Sequence, residues 1–318
     1  MTLFGHPIAR KMEDWWKQHA DKHDDPEWIE YLSVFKTLLD EKFKEWSEEH
    51  TNTINGIKLY GMSGAGGCVR KATLKLLGYK EERESGSTFF TYWLGHNVEI
   101  AALATLHMCG YPLIGTQHKL VLETELNGKV EPLMASASDG IIKLFGIDTV
   151  VSVKSGAYKM SGQVKGRWIR RGFPEYPFSG VREVNQSAYA QLQMEMFAGG
   201  YSQGLFLIVS KDIVKAFEND DFLGNKGNGS LTFYAEMIKP ELEVSEPIIN
   251  AFSNGMLLAR QGKASAALYP EKHTYNYVEL KKAQYVPSNI WGGSNKELTK
   301  TFNPCGGCGL RKACENAL

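Results

Sequence analysis

The chain has 318 residues, 43% of them hydrophobic, and its 36 basic and 36 acidic side chains cancel to a formal net charge of zero. That length supports one large domain with attachments or two domains. Neutrality excludes binding of polyanions through the overall field, so any nucleic-acid surface has to come from local segregation of charge. No run of 18 apolar residues occurs and the opening, MTLFGHPIARKMEDWW, turns polar at once, which predicts a soluble, cytoplasmic protein with no membrane contact.

Residues 12–23 and, after Asp25-Pro26, residues 27–50 read as helices. In the second, Trp28, Tyr31, Leu32, Phe35, Leu38, Leu39, Phe43 and Trp46 recur at three- and four-residue spacing. Such a stripe either grips DNA or a partner or, more simply, caps the main body. The glycine-rich stretch 57–67 lacks the Gly-Lys-Ser/Thr that a Walker loop needs. A short helix follows, opened by Cys68 at a position that favours a thiolate; Val69, Ala72 and Leu76 are expected inward, Arg70, Lys71 and Lys75 outward, and Gly78 ends it. Residues 88–110 read as one helix on which His96 and Glu99, three apart, share a face. Cys109 is most simply a buried apolar residue.

Residues 117–126 and 129–144 predict antiparallel strands, with Asp139 near the middle of a strand over 136–144. The next strand, 148–154, puts Asp148, Val150, Ser152 and Lys154 on one face. A lysine on the inner face of a β-branched strand is costly unless a partner or a substrate charge compensates it, so Asp139 and Lys154 form the candidate centre of chemistry. From Thr149 through Pro174 no acidic residue occurs, while Lys154, Lys159, Lys165, Arg167, Arg170 and Arg171 stand among Tyr158 and Trp168. Cations for a phosphate backbone with rings for stacking suit single-stranded nucleic acid. A helix over 183–200, an apolar strand over 204–210, a polar loop, a strand over 231–239 and a helix over 246–263 complete the body. The expected divisions are a helical region to 56, a core from 57 to 240, a helical extension to 300 and a cysteine segment from 301 to 318.

That segment holds Cys305, Cys308 and Cys314, a C-x2-C-x5-C spacing that points to metal rather than packing. Cys68 is the natural fourth ligand, and structural zinc accepts four thiolates.

The run around Asp139 and Lys154 resembles the core of the RecB-like PD-(D/E)XK nucleases, in which an Asp is followed on the next strand by Glu-x-Lys. Asp139 and Lys154 match, whereas Ser152 stands where the family has Glu. Gly95-His96 is similar to the family's helix motif. Gln191 is the nearest match to its later Gln, with Gln193 as fallback, although both also suit the surface of an amphipathic helix.

The resemblance implies an α/β fold of the restriction-endonuclease type with α-β-β-β-α-β order, a central mixed sheet and flanking helices. It implies Mg2+ or Mn2+ held by His96, Asp139 and the backbone of Val153, with Lys154 as the electrostatic partner. The placement of the four cysteines resembles the iron-sulfur staple of CRISPR-associated and AddB-type members, which implies a 4Fe-4S cluster of structural role. The implied activity is that of a DNA exonuclease on single strands or duplex ends, in recombination, repair or phage DNA processing in a bacterial or phage-infected cell, with a recombination or repair protein as a possible partner. Three explanations of Ser152 stay open. It is a deliberate silencing substitution, which the otherwise intact pattern favours, or Glu195 from the following helix supplies the carboxylate, or the chain is an inactive DNA-binding module. A zinc-stapled interaction protein is the alternative from another class.

Overall fold

The structure, a computed structural model, describes residues 6–20, 22–47, 53–54, 56–79, 86–156, 181–184, 186–210, 233–262 and Leu310. In chain order the elements are helices α1 (Pro7–His19) and α2 (Pro26–Ser47), short strands β1 (Thr53–Ile54), β2 (Ile57–Lys58) and β3 (Tyr60–Gly61), and helices α3 (Val69–Leu76) and α4 (Gly86–Met108). Strands β4 (Leu113–Thr116), β5 (Lys119–Leu126), β6 (Lys129–Ala137), β7 (Gly140–Leu144) and β8 (Ile147–Gly156) follow. Helices α5 (Val181–Val184) and α6 (Gln186–Gly199), strands β9 (Gly204–Ser210) and β10 (Phe233–Ile238), and helix α7 (Leu242–Arg260) complete the series. No helix among the described residues is long and apolar enough to cross a membrane.

The main sheet has five strands in the order β10-β9-β8-β7-β4 and is mixed: β8 and β9 run parallel, and the other pairs are antiparallel. The parallel pair is central because its residues are apolar on both faces, Val150, Val151 and Val153 on β8 and Leu205 to Val209 on β9. One face packs against α1, α2 and α4 through Ile8, Met12, Ile100, Leu103, Ile142, Val151 and Leu207. The other carries Val150, Phe206 and Ile208 against α6, α7 and a second sheet, β3-β6-β5. The strands of the main sheet and the two helices beside the site follow one another as α4, β4, β7, β8, α6, β9, an α-β-β-β-α-β succession.

Three expectations need correction. The stretch 129–144 is not one strand: it leaves the small sheet after Ala137 and enters the main sheet at Gly140, with Asp139 in the break. Gly140 lies so close to α4 that a Cβ there would stand 2.9 Å from Leu103 Cδ2, which is why a glycine begins β7. On α3 Val69, Ala72 and Leu76 pack on the core as expected, and Thr73 and Leu74 are buried with them, but Arg70 is buried, not exposed as its charge suggested. The stripe of α2 is only partly covered. Trp28 and Tyr31 stack on each other and pack against Trp15 and Trp16 of α1, whereas Leu32 and Phe43 are exposed.

Helix α1 also lies along the outer strand β10. The His6 N–H donates to Ala235 O at 2.7 Å, and the buried Glu13 carboxylate accepts from Phe233 N at 3.4 Å. At the start of α3 the Lys71 N–H donates to Cys68 Sγ at 3.4 Å, so the thiol occupies the capping position. Helix α7 crosses α3 at Gly255, where a Cβ would come within 3.0 Å of Tyr60 Oη, Thr73 Oγ1 and Val69 Cγ1.

Candidate active site

The break between β6 and β7 places Asp139 beside β8. Its Oδ2 accepts a hydrogen bond from Val153 N at 2.6 Å and stands 3.9 Å from Lys154 Nζ, and only 15% of its side chain is exposed. The alternation of β8 turns Ser152 and Lys154 to the face of Val150, the side on which α6 packs, while Val151 and Val153 go to the other core. The two residues singled out as the centre of chemistry are thus an ion pair.

Helix α4 brings in Glu99 from a second direction. His96 Nδ1 lies 3.3 Å from Glu99 Oε2, Gln117 Nε2 donates to Oε1 at 3.1 Å, and Lys42 Nζ of α2 stands 3.6 Å from the same oxygen. Gln117 holds this position with φ of 49°, a left-handed conformation uncommon outside glycine. Helix α6 contributes Glu195, whose Oε1 accepts from Gln191 Nε2 at 2.7 Å and from Ser136 Oγ of β6 at 3.0 Å. Gln191 therefore reaches the site through Glu195. Gln193 faces elsewhere, bridging Lys239 O and Glu241 N.

These charges act on one another. Burial, then the neighbouring Glu99 and Glu195 charges, push the Asp139 carboxyl up to about 7, against the pull of Lys154 and the Val153 N–H. Burial raises Glu195 as well, offset in part by Lys154 and the hydrogen bonds from Gln191 and Ser136. Burial also works to raise Glu99, but the His96 hydrogen bond and the charges of Lys42, His96 and Lys154 outweigh it and hold that carboxyl below its usual value. Asp139 thus stands beside Lys154, and the charges of Glu99 and Glu195 are felt by both.

The side chains that sequence reasoning passed over are Lys42, Gln117 and the carboxylate role of Glu99, which had entered only as the neighbour of His96. Its three-residue spacing from His96 was the available signal; Gln117 and Lys42 carried none.

Oxygen and imidazole donors suit Mg2+ or Mn2+. The raised Asp139 and the buried Glu195 Oε2, which has no hydrogen-bond partner among the described residues, mark negative charge short of a cation. The fit is one of donor chemistry and charge: among the described residues, no three His, Cys, Asp or Glu side chains stand close enough together to hold an ion. Ser152 is fully buried, its hydroxyl also without a partner there, and it is too short to act for a carboxylate.

Cys68 lines a cavity of about 550 Å³ with Lys58, Tyr60, Lys71 and Lys75. Cys305, Cys308 and Cys314 lie outside the described residues, as do Lys159, Lys165, Arg167, Trp168, Arg170 and Arg171. Leu310, within the cysteine segment, is 1% exposed.

A scan against protein-family models finds no match, and neither does a search of curated proteins. Among solved structures, the chain is similar to SSO0001 at 14% identity over 71% of this chain and 84% of that one, with a TM-score of 0.39. The alkaline exonuclease LHK-Exo of Laribacter hongkongensis is similar at 12% identity over 64% and 89%, TM-score 0.40. A phage-related exonuclease of Haemophilus somnus 129PT is similar at 12% over 64% and 94%, TM-score 0.41. At such identities and scores, the chemical reading rests on the side chains of this chain alone.

Proposed function

We propose that the chain is a divalent-metal-dependent DNA nuclease of the restriction-endonuclease-like type, acting as an exonuclease on single strands or duplex ends. The observation that carries this reading is Asp139 at the β6–β7 break, 3.9 Å from Lys154 and held by the Val153 N–H, with the buried Glu99 of α4 and Glu195 of α6 near enough for their charges to raise it. Asp139, Glu195 and His96, with the backbone of Val153, are the donors that would have to draw together to hold Mg2+ or Mn2+, since no three such side chains among the described residues stand within reach of one ion. When bound, the cation supplies a Lewis acid for the scissile phosphate and for an attacking water. The protein contributes orientation and charge. The Val153 N–H fixes one oxygen of Asp139, Gln191 and Ser136 fix one oxygen of Glu195, and the Lys154 ammonium offsets charge developing on the phosphate.

Of the explanations for Ser152, the position of Glu195 favours a carboxylate supplied from α6. The test is degradation of linear DNA in Mn2+ by the chain as it stands. Loss of cutting by about a hundredfold or more in Glu195→Gln and Asp139→Asn supports the reading. Activity indifferent to Glu195→Gln overturns that ligand, and a chain that binds DNA but gains no cutting even with Ser152→Glu is the inactive binding module.

The second part of the proposal is a staple in which Cys68, Cys305, Cys308 and Cys314 hold a 4Fe-4S cluster. It is supported by the cysteine spacing, the cavity beside Cys68 and the burial of Leu310 between Cys308 and Cys314. Iron with acid-labile sulfide in the purified protein supports it; a colourless, zinc-replete preparation replaces it with a zinc site.

A further inference from the structure

Helix α2 sends one charged side chain into the protein. Lys42 is 6% exposed, and its ammonium stands 3.6 Å from Oε1 of the buried Glu99 on α4. Taking both charges out of water is costly, and an apolar pair of the same shape would fill the space at least as stably, so stability does not account for them. The surroundings hold the pair in place. Next to Lys42, Glu41 accepts a hydrogen bond from Thr116 Oγ1 of β4. The following residue, Gln117, donates at 3.1 Å to the same Glu99 oxygen that Lys42 faces, from a left-handed backbone at φ of 49°. Helix α2 and the bend after β4 thus close together on Glu99. Its other oxygen, Oε2, lies 3.3 Å from His96 Nδ1.

A neutral imidazole that gives its Nδ1 proton to a carboxylate carries its lone pair on Nε2, the nitrogen that then serves a divalent ion, and the carboxylate fixes the plane of the ring. From this chain of contacts we propose that Lys42 is a positioning residue, which by fixing Glu99 sets the tautomer and orientation of His96 and makes the N-terminal helices a working part of the site. The cation is needed at that place because Gln117 alone fixes the far oxygen of Glu99 by a single neutral hydrogen bond, and charge-assisted contacts hold a carboxylate more firmly.

The inference rests on the nuclease reading, with His96 serving the cation, and the test separates the two. The full chain with isotope-labelled histidine nitrogens is observed by NMR in EDTA at pH 8, the His96 signals being those that vanish in His96→Gln. The expected result is an Nδ1–H tautomer in the intact protein and in Lys42→Arg, which keeps the cation, and a mixture with Nε2–H in Lys42→Met. Mn2+ binding, followed by electron paramagnetic resonance of the free ion, should weaken about tenfold or more in Lys42→Met and return in Lys42→Arg, and cleavage of linear DNA should lose kcat by a similar factor with KM for DNA kept. Lys42→Gln takes the place of Lys42→Met if circular dichroism shows the latter unfolded. A variant without the cation that keeps the Nδ1–H tautomer makes the pair structural and overturns the proposal, whatever its melting temperature; so does an Nε2–H tautomer in the intact protein. A Lys42-dependent tautomer in a chain that neither binds Mn2+ nor cuts DNA sinks the nuclease reading and leaves the positioning of His96. Cutting by Lys42→Met at the intact protein's rate leaves the nuclease and overturns the role of Lys42.

Discussion

Asp139 is held at one oxygen by the Val153 N–H and lies within reach of the Lys154 ammonium, yet it keeps its proton until about pH 7, because burial and the Glu99 and Glu195 charges oppose ionisation. In the folded chain without metal it binds a proton that the unfolded chain has already released. Stability therefore falls as pH rises from the ordinary value of 3.8 to about 7. Glu195, raised as well, has the same sign; Glu99, lowered, contributes stability that is lost as pH falls through its folded value. Asp139→Asn, which still accepts from Val153 N, is expected to stabilise the metal-free protein at pH 8 by about 1–3 kcal/mol and to flatten that decline, as thermal melts in EDTA across the pH range will show. Ser152→Glu adds another acid at a fully buried position and should cost about 2–4 kcal/mol in EDTA, with much of the loss restored by Mn2+. The Asp139–Lys154 pair was legible in the sequence because a lysine on the inner face of a valine-rich strand demands a partner. Glu99 and Glu195 were harder to place in the site, since a carboxylate on a helix reads like any solvated one until the fold shows what it faces.

Among the elements, the central strands announced themselves: β9 is an apolar run of strand length and β8 a valine-rich stretch with Val150, Val151 and Val153 buried, as a parallel pair covered on both sides requires. The passage from β6 to β7 did not, because the alternation continues through Ser138 and Asp139 while the chain changes sheets. Only the closeness of Gly140 to Leu103 reveals the turn. Strand β4 and the two-residue β3 carry too few residues to show a period, so neither was expected. The crossing of α3 and α7 gives a prediction at this scale. Gly→Ala within a helix ordinarily stabilises by about 1 kcal/mol, but at Gly255 the added carbon meets Tyr60, Thr73 and Val69 at 2.8–3.0 Å. Gly255→Ala should therefore destabilise by about 1–3 kcal/mol in urea titrations, the reverse of the propensity effect.

Over the whole molecule, two cores on opposite faces of one sheet position the site, since α4 belongs to one core and α6 to the other while β8 is shared. If Cys68 is tied to the C-terminal cysteines, the ring of chain so closed spans both cores. Cys68→Ser should then lower the melting temperature by several degrees, about 2–4 °C per kcal/mol lost, and abolish the iron absorption in the same preparation. The neutral composition gave no sign of this division, because each core draws on residues scattered along the chain. The contact of α1 with β10 carries a further consequence. An outermost strand with open amides and carbonyls is a template for other chains, and here the His6 amide and the Glu13 carboxylate meet the outward groups of Ala235 and Phe233. Loosening that helix would free a sticky sheet margin to recruit a neighbour's strand, so the first turns of the chain guard the molecule against fibrillar self-association as much as they thicken its core.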